Sequence, residues 1–389
     1  GFDADATVRL GDTTLEDAGW VSSTTLTATV PWGMDPGVYT LTVENPGGGS
    51  ASLTDAFTIT EGIGVWNAGE LYGGSVEELV INPVTPTTLY ATSSHAGLFR
   101  TRDGGKSWSL QFAGGGGFRH PVIDPRTPER LYVHGPWSLY RSDNEGESWT
   151  ALDPQFPYTD VSGAQCPSMR IHPYVHPISD TVYAIACEPD QGVVKSTNHG
   201  ETWISITTGI TDTDITALAF HPEDPETMYV GTGNGHVFST SNGGITWTHA
   251  SKPVGCVGTL AVNPHGPHEL WVASDDSFGD PCVLRASTEA GLTAWETLTG
   301  TTEGCHWPGP SIYFDPDISG RVFVADMGPR GLRTEDGGEN WTSLSPSNES
   351  LVQDLAPHPT LTDTIYLADK WRGVYETSNG GDDWSLANQ

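Results

Sequence analysis

Thr101-Arg102-Asp103-Gly104-Gly105-Lys106-Ser107-Trp108 is one of seven segments in which a hydroxyl residue, an acid or amide, a Gly and an aromatic recur in order. The other copies run Ser142 to Trp149, Ser196 to Trp203, Thr240 to Trp247, Ser287 to Trp295, Thr334 to Trp341 and Thr377 to Trp384. Successive starts lie 41, 54, 44, 47, 47 and 43 residues apart, a period that suits one four-stranded sheet per repeat arranged around an axis. The expected fold is all-β, a seven-bladed β-propeller with a small β-sandwich in front of it.

Each place in the repeat has a physical task. The third residue (Asp103, Asn144, Asn198, Asn242, Asp336, Asn379) is expected to turn its side-chain oxygen back onto backbone N–H groups two residues on. The Gly at the fifth place takes the positive φ of a tight hairpin, and the Trp at the eighth starts the next strand and fills the wedge between neighbouring sheets. The fifth copy departs, with Glu289 at the third place and one extra residue before Trp295, so a looser turn with a bulge is expected there. A proline closes each inner strand in this reading, at Pro83, Pro125, Pro173, Pro222, Pro264, Pro316 and Pro359.

These segments resemble the Asp-box (BNR) repeat of sialidases, xyloglucanase-type glycoside hydrolases and sortilin-like receptors. The resemblance implies the fold, and the motif itself is structural in enzymes and non-enzymes alike.

Residues 1–61 do not follow the period. Alternating strands there include Pro36-Gly37-Val38-Tyr39-Thr40-Leu41-Thr42-Val43-Glu44-Asn45-Pro46-Gly47-Gly48, which resembles the later part of an IPT/TIG immunoglobulin-like domain. The expected division is therefore a partial IPT/TIG domain over 1–61 and the propeller over 62–389. Domains of that kind begin with a further strand or two, so an unpaired edge is expected, open to a strand donated by another chain.

Lys and Arg number 17 against 49 Asp and Glu, giving a formal charge of −32. Such a surface repels phosphate backbones and anionic lipid, so nucleic acid is excluded as a partner, and no apolar run is long enough for membrane insertion. No cofactor is expected beyond weakly held calcium. Cys166 and Cys187 fall at neighbouring strand ends of the third blade, which suits a disulfide and an extracellular or cell-surface location. Of Cys256, Cys282 and Cys305, one is left unpaired in this scheme.

Ligands of propellers are expected at the end formed by the loops entering each inner strand and those joining second to third strands. Aromatics and arginines on those loops, Trp137, Tyr158, Phe278, Trp307, Trp371, Arg330 and Arg372, suit stacking and hydrogen bonding to a saccharide. Phe118 and His134 fall on the same loops. A sialidase would need three convergent arginines, for which Arg119, Arg330 and Arg372 are the candidates, and lacks its usual start sequence. Resemblance to the xyloglucanase-type enzymes implies two tandem propellers with one catalytic Asp from each, whereas a single propeller is read here. If the chain is an enzyme, Asp212 with Asp214, or Glu303 with Asp326, would form the acid–base pair. The reading reached is a secreted or cell-surface, non-catalytic propeller for adhesion, surface or matrix assembly or polysaccharide binding, partnered by a polysaccharide or another surface protein, or assembling with further copies of itself through the N-terminal domain. The alternative is a glycoside hydrolase using carboxylates on the axial loops.

Overall fold

The computed structural model describes residues 1–11, 13–29, 37–59, 76–93, 96–113, 118–135, 138–152, 172–186, 192–212, 214–251, 255–274, 283–298, 311–325, 331–346 and 350–387. Their regular structure is strand throughout, and the chain separates into two compact units, Gly1–Asn67 and Ala68–Gln389. No described helix is long and apolar enough to cross a membrane.

In the first unit Thr7–Leu10 pairs with Thr13–Thr14 on one side and Gly37–Glu44 on the other, and Ser50–Ile59 closes the far edge of this four-stranded sheet. Glu16–Ser22 and Thr25–Thr29 form a separate hairpin. Val8, Leu10 and Leu15 are its buried centre, as the alternation of strand side chains requires.

Among the described residues the second unit holds seven four-stranded antiparallel sheets in sequence, each running inner strand to outer strand. The inner strands are Val76–Ile81, Arg119–Ile123, His172–Val175, Ile215–Phe220, Val257–Val262, Ser311–Phe314 and Val352–Pro357. Seven apolar clusters lie one at each seam between neighbouring sheets. One of them joins Val76, Leu79 and Trp108 of the first sheet to Ala356, Tyr366 and Val374 of the last, so the ring closes on itself.

The repeat explains the turns. In the first copy Gly105 N–H donates to Thr101 Oγ1 at 2.9 Å, Thr101 Oγ1 donates to Asp103 Oδ1 at 2.7 Å, and Ser107 N–H donates to the same oxygen at 2.9 Å. The acceptor therefore caps the N–H four residues on, not two, because the hydroxyl at the first place already serves the nearer one. Asn144, Asn198, Asn242, Asp336 and Asn379 repeat the arrangement. Gly200 shows why the fifth place is Gly: its φ is +89° and an added Cβ would lie 2.6 Å from Leu152 of the preceding sheet. The Trp sits one residue ahead of the outer strand, with Trp203 and Trp247 packed into the seam with the preceding sheet.

The fifth turn is the exception that was expected. Strand register places Ala286, not Ser287, opposite Leu270, where the other copies set their hydroxyl. The hydroxyl anchor is shifted, Ser287 Oγ accepting Ala290 N–H at 3.3 Å in place of the N–H four residues on, and Leu292 takes a φ of +58° in the longer loop.

Scarce cations hold the outer seams. From five of the third strands the residue paired with an aromatic of the second reaches the next sheet's turn. Arg100 donates to Glu145 O at 2.5 Å and pairs with Glu147 at 2.6 Å; Arg141 donates to His199 O at 2.8 Å and pairs with Glu201 at 2.9 Å. Lys195, Arg285 and Arg333 reach the carbonyls of Gly243, Gly337 and Gly380 in the same way.

The inner strands end on a second repeated device. Asn82, Asp124, His176, His221, Asn263, Asp315 and His358 each precede a proline and accept backbone N–H groups from the turn that follows. In the third sheet that proline is Pro177; Pro173 lies inside His172–Val175, paired with Ala184, contrary to the sequence reading. The histidines do this through Nδ1, which must be unprotonated. Burial holds His176, His221 and His358 below the usual histidine range. The unfolded chain takes up protons near 6.5 that the folded chain refuses, so stability falls as pH drops through that value. Replacing all three with Asn, the residue used at positions 82 and 263, is expected to flatten the melting temperature between about pH 7 and 5. An unchanged slope would exclude these caps as its source.

Candidate functional site on the propeller axis

In an antiparallel four-stranded sheet the loops entering the inner strand and those joining the second and third strands share one end. The mouth of the axis at that end carries an ionisable cluster. Val76–Ile81 and Val352–Pro357 both shift register after their first residue, turning Glu78 and Asp354 out of the apolar alternation.

Glu78 accepts the backbone N–H of His120 at 2.5 Å, and its other oxygen lies 3.2 Å from His120 Nδ1. His120 itself has a φ of +53°, at a register shift between Arg119 and Val122, and its ring centroid is 3.6 Å from that of His172. A non-glycine residue is uncommon in that region of the backbone map. Asp354 accepts Tyr313 OH at 2.5 Å, Leu79 N–H at 2.9 Å and Leu355 N–H at 2.9 Å. Burial and the Asp354 carboxylate push Glu78 up to about 8. Burial pushes Asp354 up to about 6, against the hydrogen bonds that favour its charge. Glu78 keeps 25% of its side-chain surface, whereas Asp354 is 4% exposed, so Glu78 is the carboxyl that solvent reaches. At neutral pH it keeps its proton.

The sequence candidates are placed differently. Partial desolvation disfavours the charged form of Asp212, but Thr232 OH at 2.7 Å, Asn234 Nδ2 at 3.0 Å and Asp214 N–H at 3.2 Å outweigh this and hold it ionised below the usual range. Asp214 lies against Gly233, where an added Cβ would meet its carboxylate. Trp371 is 63% exposed, held by its N–H on Asp369 with Lys370 Nζ 5.4 Å from the ring centre. Arg372 shares the Asp369 anchor. Phe118 and His134 are corrected: both are buried, Phe118 against Phe112 and His134 beside Arg119 on the neighbouring strand. Burial lowers His134 to about 4, so it stays neutral.

Glu303, Asp326, Trp137, Tyr158, Phe278, Trp307, Arg330, Cys166, Cys187, Cys282 and Cys305 lie outside the described residues. Among the described residues no group of three or more His, Cys, Asp or Glu could hold a metal ion.

Sequence reading passed over Glu78 and Asp354. The signal was there in Val76-Glu77-Glu78-Leu79 and Val352-Gln353-Asp354-Leu355, two inner strands with an acid at the place where Ile215-Thr216-Ala217-Leu218 has Ala217.

Comparison with known proteins adds a direction. A family model described as Sortilin, neurotensin receptor 3 (Sortilin-Vps10) matches residues 191–327. A probable oligoxyloglucan-reducing end-specific xyloglucanase of Neosartorya fischeri is 30% identical over 171 residues, 37% of this chain and 20% of that protein. A xyloglucanase of a Paenibacillus species is 24% identical over 330 residues, 70% of this chain and 31% of that protein. The chain thus spans about a fifth to a third of the length of these relatives. In fold it is similar to the GH74 xyloglucanase of Xanthomonas campestris, with a TM-score of 0.63 at 16% identity over 84% of this chain and 55% of that one. It is also similar to YCF48 from Cyanidioschyzon merolae, with a TM-score of 0.57 at 14% identity over 80% of this chain and 97% of that one. In fold the protein is a β-propeller. The curated xyloglucanase relatives overturn the non-catalytic adhesion or assembly reading of the sequence and favour its alternative, a glycoside hydrolase.

Proposed function

We propose that this propeller acts in a glycoside hydrolase of the xyloglucanase type, taking a neutral polysaccharide across the axial mouth. The observation that carries the reading is that the curated sequence relatives are xyloglucanases. The site supports it chemically. Glycoside hydrolysis needs one carboxyl that keeps its proton to donate to the leaving oxygen and a second that is ionised. Glu78 has the first character. Asp212, held charged at the same end, has the second, and Glu303 and Asp326 are further candidates for it. Trp371 offers an exposed ring for a sugar face, with Arg372 next to it. A polymer of this kind is met outside the cell, so the protein is placed there.

Incubation with a panel containing xyloglucan and unsubstituted β-glucan, reading reducing-end release and retention on insoluble glycan, tests this. Release from xyloglucan is expected. Retention without release from any member would remove the catalytic reading, and neither would remove the polysaccharide. Trp371→Ala is expected to weaken retention several-fold, corresponding to about 1 kcal/mol of ring contact, with the melting temperature unchanged.

A further inference from the structure

Five of the seven outer seams set a cationic third-strand side chain against the next turn, Arg100, Arg141, Lys195, Arg285 and Arg333, and in the last sheet the same place holds Glu376, which accepts Tyr366 OH at 3.2 Å. The seam between the fourth and fifth sheets is different. Register sets Ser239 opposite Tyr229, the place where Arg141 stands opposite Tyr132. Across the seam the lengthened fifth turn presents Gly291 and Leu292 in place of the acid that Glu147, Glu201 and Glu339 supply elsewhere. Both halves of the ion pair are missing at once.

The vacated seat is a cavity of about 200 Å³. Its wall carries the hydroxyls of Thr227, Tyr229, Ser239, Thr246, Thr248 and Thr288, and Ala250 and Leu292 give it an apolar floor. No charged side chain lines it. Thr227 donates to Asp224 Oδ2 at 2.7 Å and Thr288 to His268 O at 2.9 Å, so toward a ligand these hydroxyls can only accept, Thr288 sharing that capacity with Tyr229 OH. The volume lies below the range of about 300–1,000 Å³ that holds drug-sized ligands. A small neutral molecule rich in O–H groups, with one C–H face for Leu292, fits this chemistry; an ion would meet no counter-charge.

We infer that this seam is a second binding site, separate from the axial mouth, that takes one neutral sugar ring. It stands whether or not the axial mouth cleaves a glycan, because it rests on the seam alone. The test is saturation-transfer NMR on the whole chain with D-glucose, D-xylose and, as a cationic control, L-arginine amide. Transfer to at least one sugar is expected. It should disappear in Ser239→Arg, which restores the side chain used at the other seams, and in Ser239→Gln, which fills the seat without charge should the arginine variant fail to fold. Transfer that persists in a folded variant, transfer to neither sugar, or transfer to L-arginine amide alone would each overturn the inference. Reducing-end release from xyloglucan is read on the same variants. Its retention while sugar transfer is lost separates this site from the axial one.

Discussion

Trp203→Ala is expected to lower the unfolding free energy by about 3–5 kcal/mol, the usual cost of emptying a buried aromatic site. Trp203 is 8% exposed and packs with Leu152 of the preceding sheet and Val194 of its own, so its loss opens the seam that keeps two sheets in register. Trp371→Ala, from an exposed loop, should stay within about 0.5 kcal/mol. Chemical denaturation of the two variants beside the parent chain checks this. Equal losses would contradict the assignment of one tryptophan to the seam and the other to the surface.

Glu78→Gln should remove the pH dependence that Glu78 imposes. In the folded chain Glu78 keeps its proton to about pH 8, whereas the unfolded chain releases it near 4.5. The folded state therefore binds more protons over that window, and stability contributed by the neutral carboxyl is lost as pH rises through it. A displacement of that size corresponds to a few kcal/mol. Gln keeps a neutral, hydrogen-bonding side chain, so the variant's melting temperature should match the parent near pH 5 and exceed it at about pH 8 to 9. A variant less stable at every pH would show that the carboxyl is not strained by its surroundings. The histidine caps act in the opposite direction, losing stability as pH falls, so the two effects separate on one melting series.

The architecture was legible because it repeats. An octet that closes its own turn through local hydrogen bonds, as Ser196, Asn198 and Gly200 do, is written in contiguous residues and survives without tertiary context. The fifth turn was legible as an irregularity, while its consequence was not: Ser239 and Leu292 lie 53 positions apart in the sequence, and only the seam shows that each omits its half of one ion pair. The axial cluster was hidden for a similar reason. Glu78 and Asp354 are single acids among 49, and what sets them apart is a bulge that turns them onto the axis and the closing of the last sheet on the first. Asp212 and Asp214, conspicuous as a pair in a loop, prove to be a hydrogen-bonded carboxylate and a side chain laid over Gly233. Phe118 and His134 failed as surface candidates because loop position says little about which way a side chain turns.

The most direct measurement is the rate of reducing-end release from xyloglucan by the parent chain and by Glu78→Gln, followed across pH. Loss of a positioned proton donor typically costs about 10²–10⁴-fold, and the parent's rate should fall on the alkaline side as Glu78 ionises near 8. That fall is expected in the parent, with a slow, pH-flat residual rate in the variant. A variant that releases reducing ends at the parent's rate, with the same alkaline limb, would contradict this.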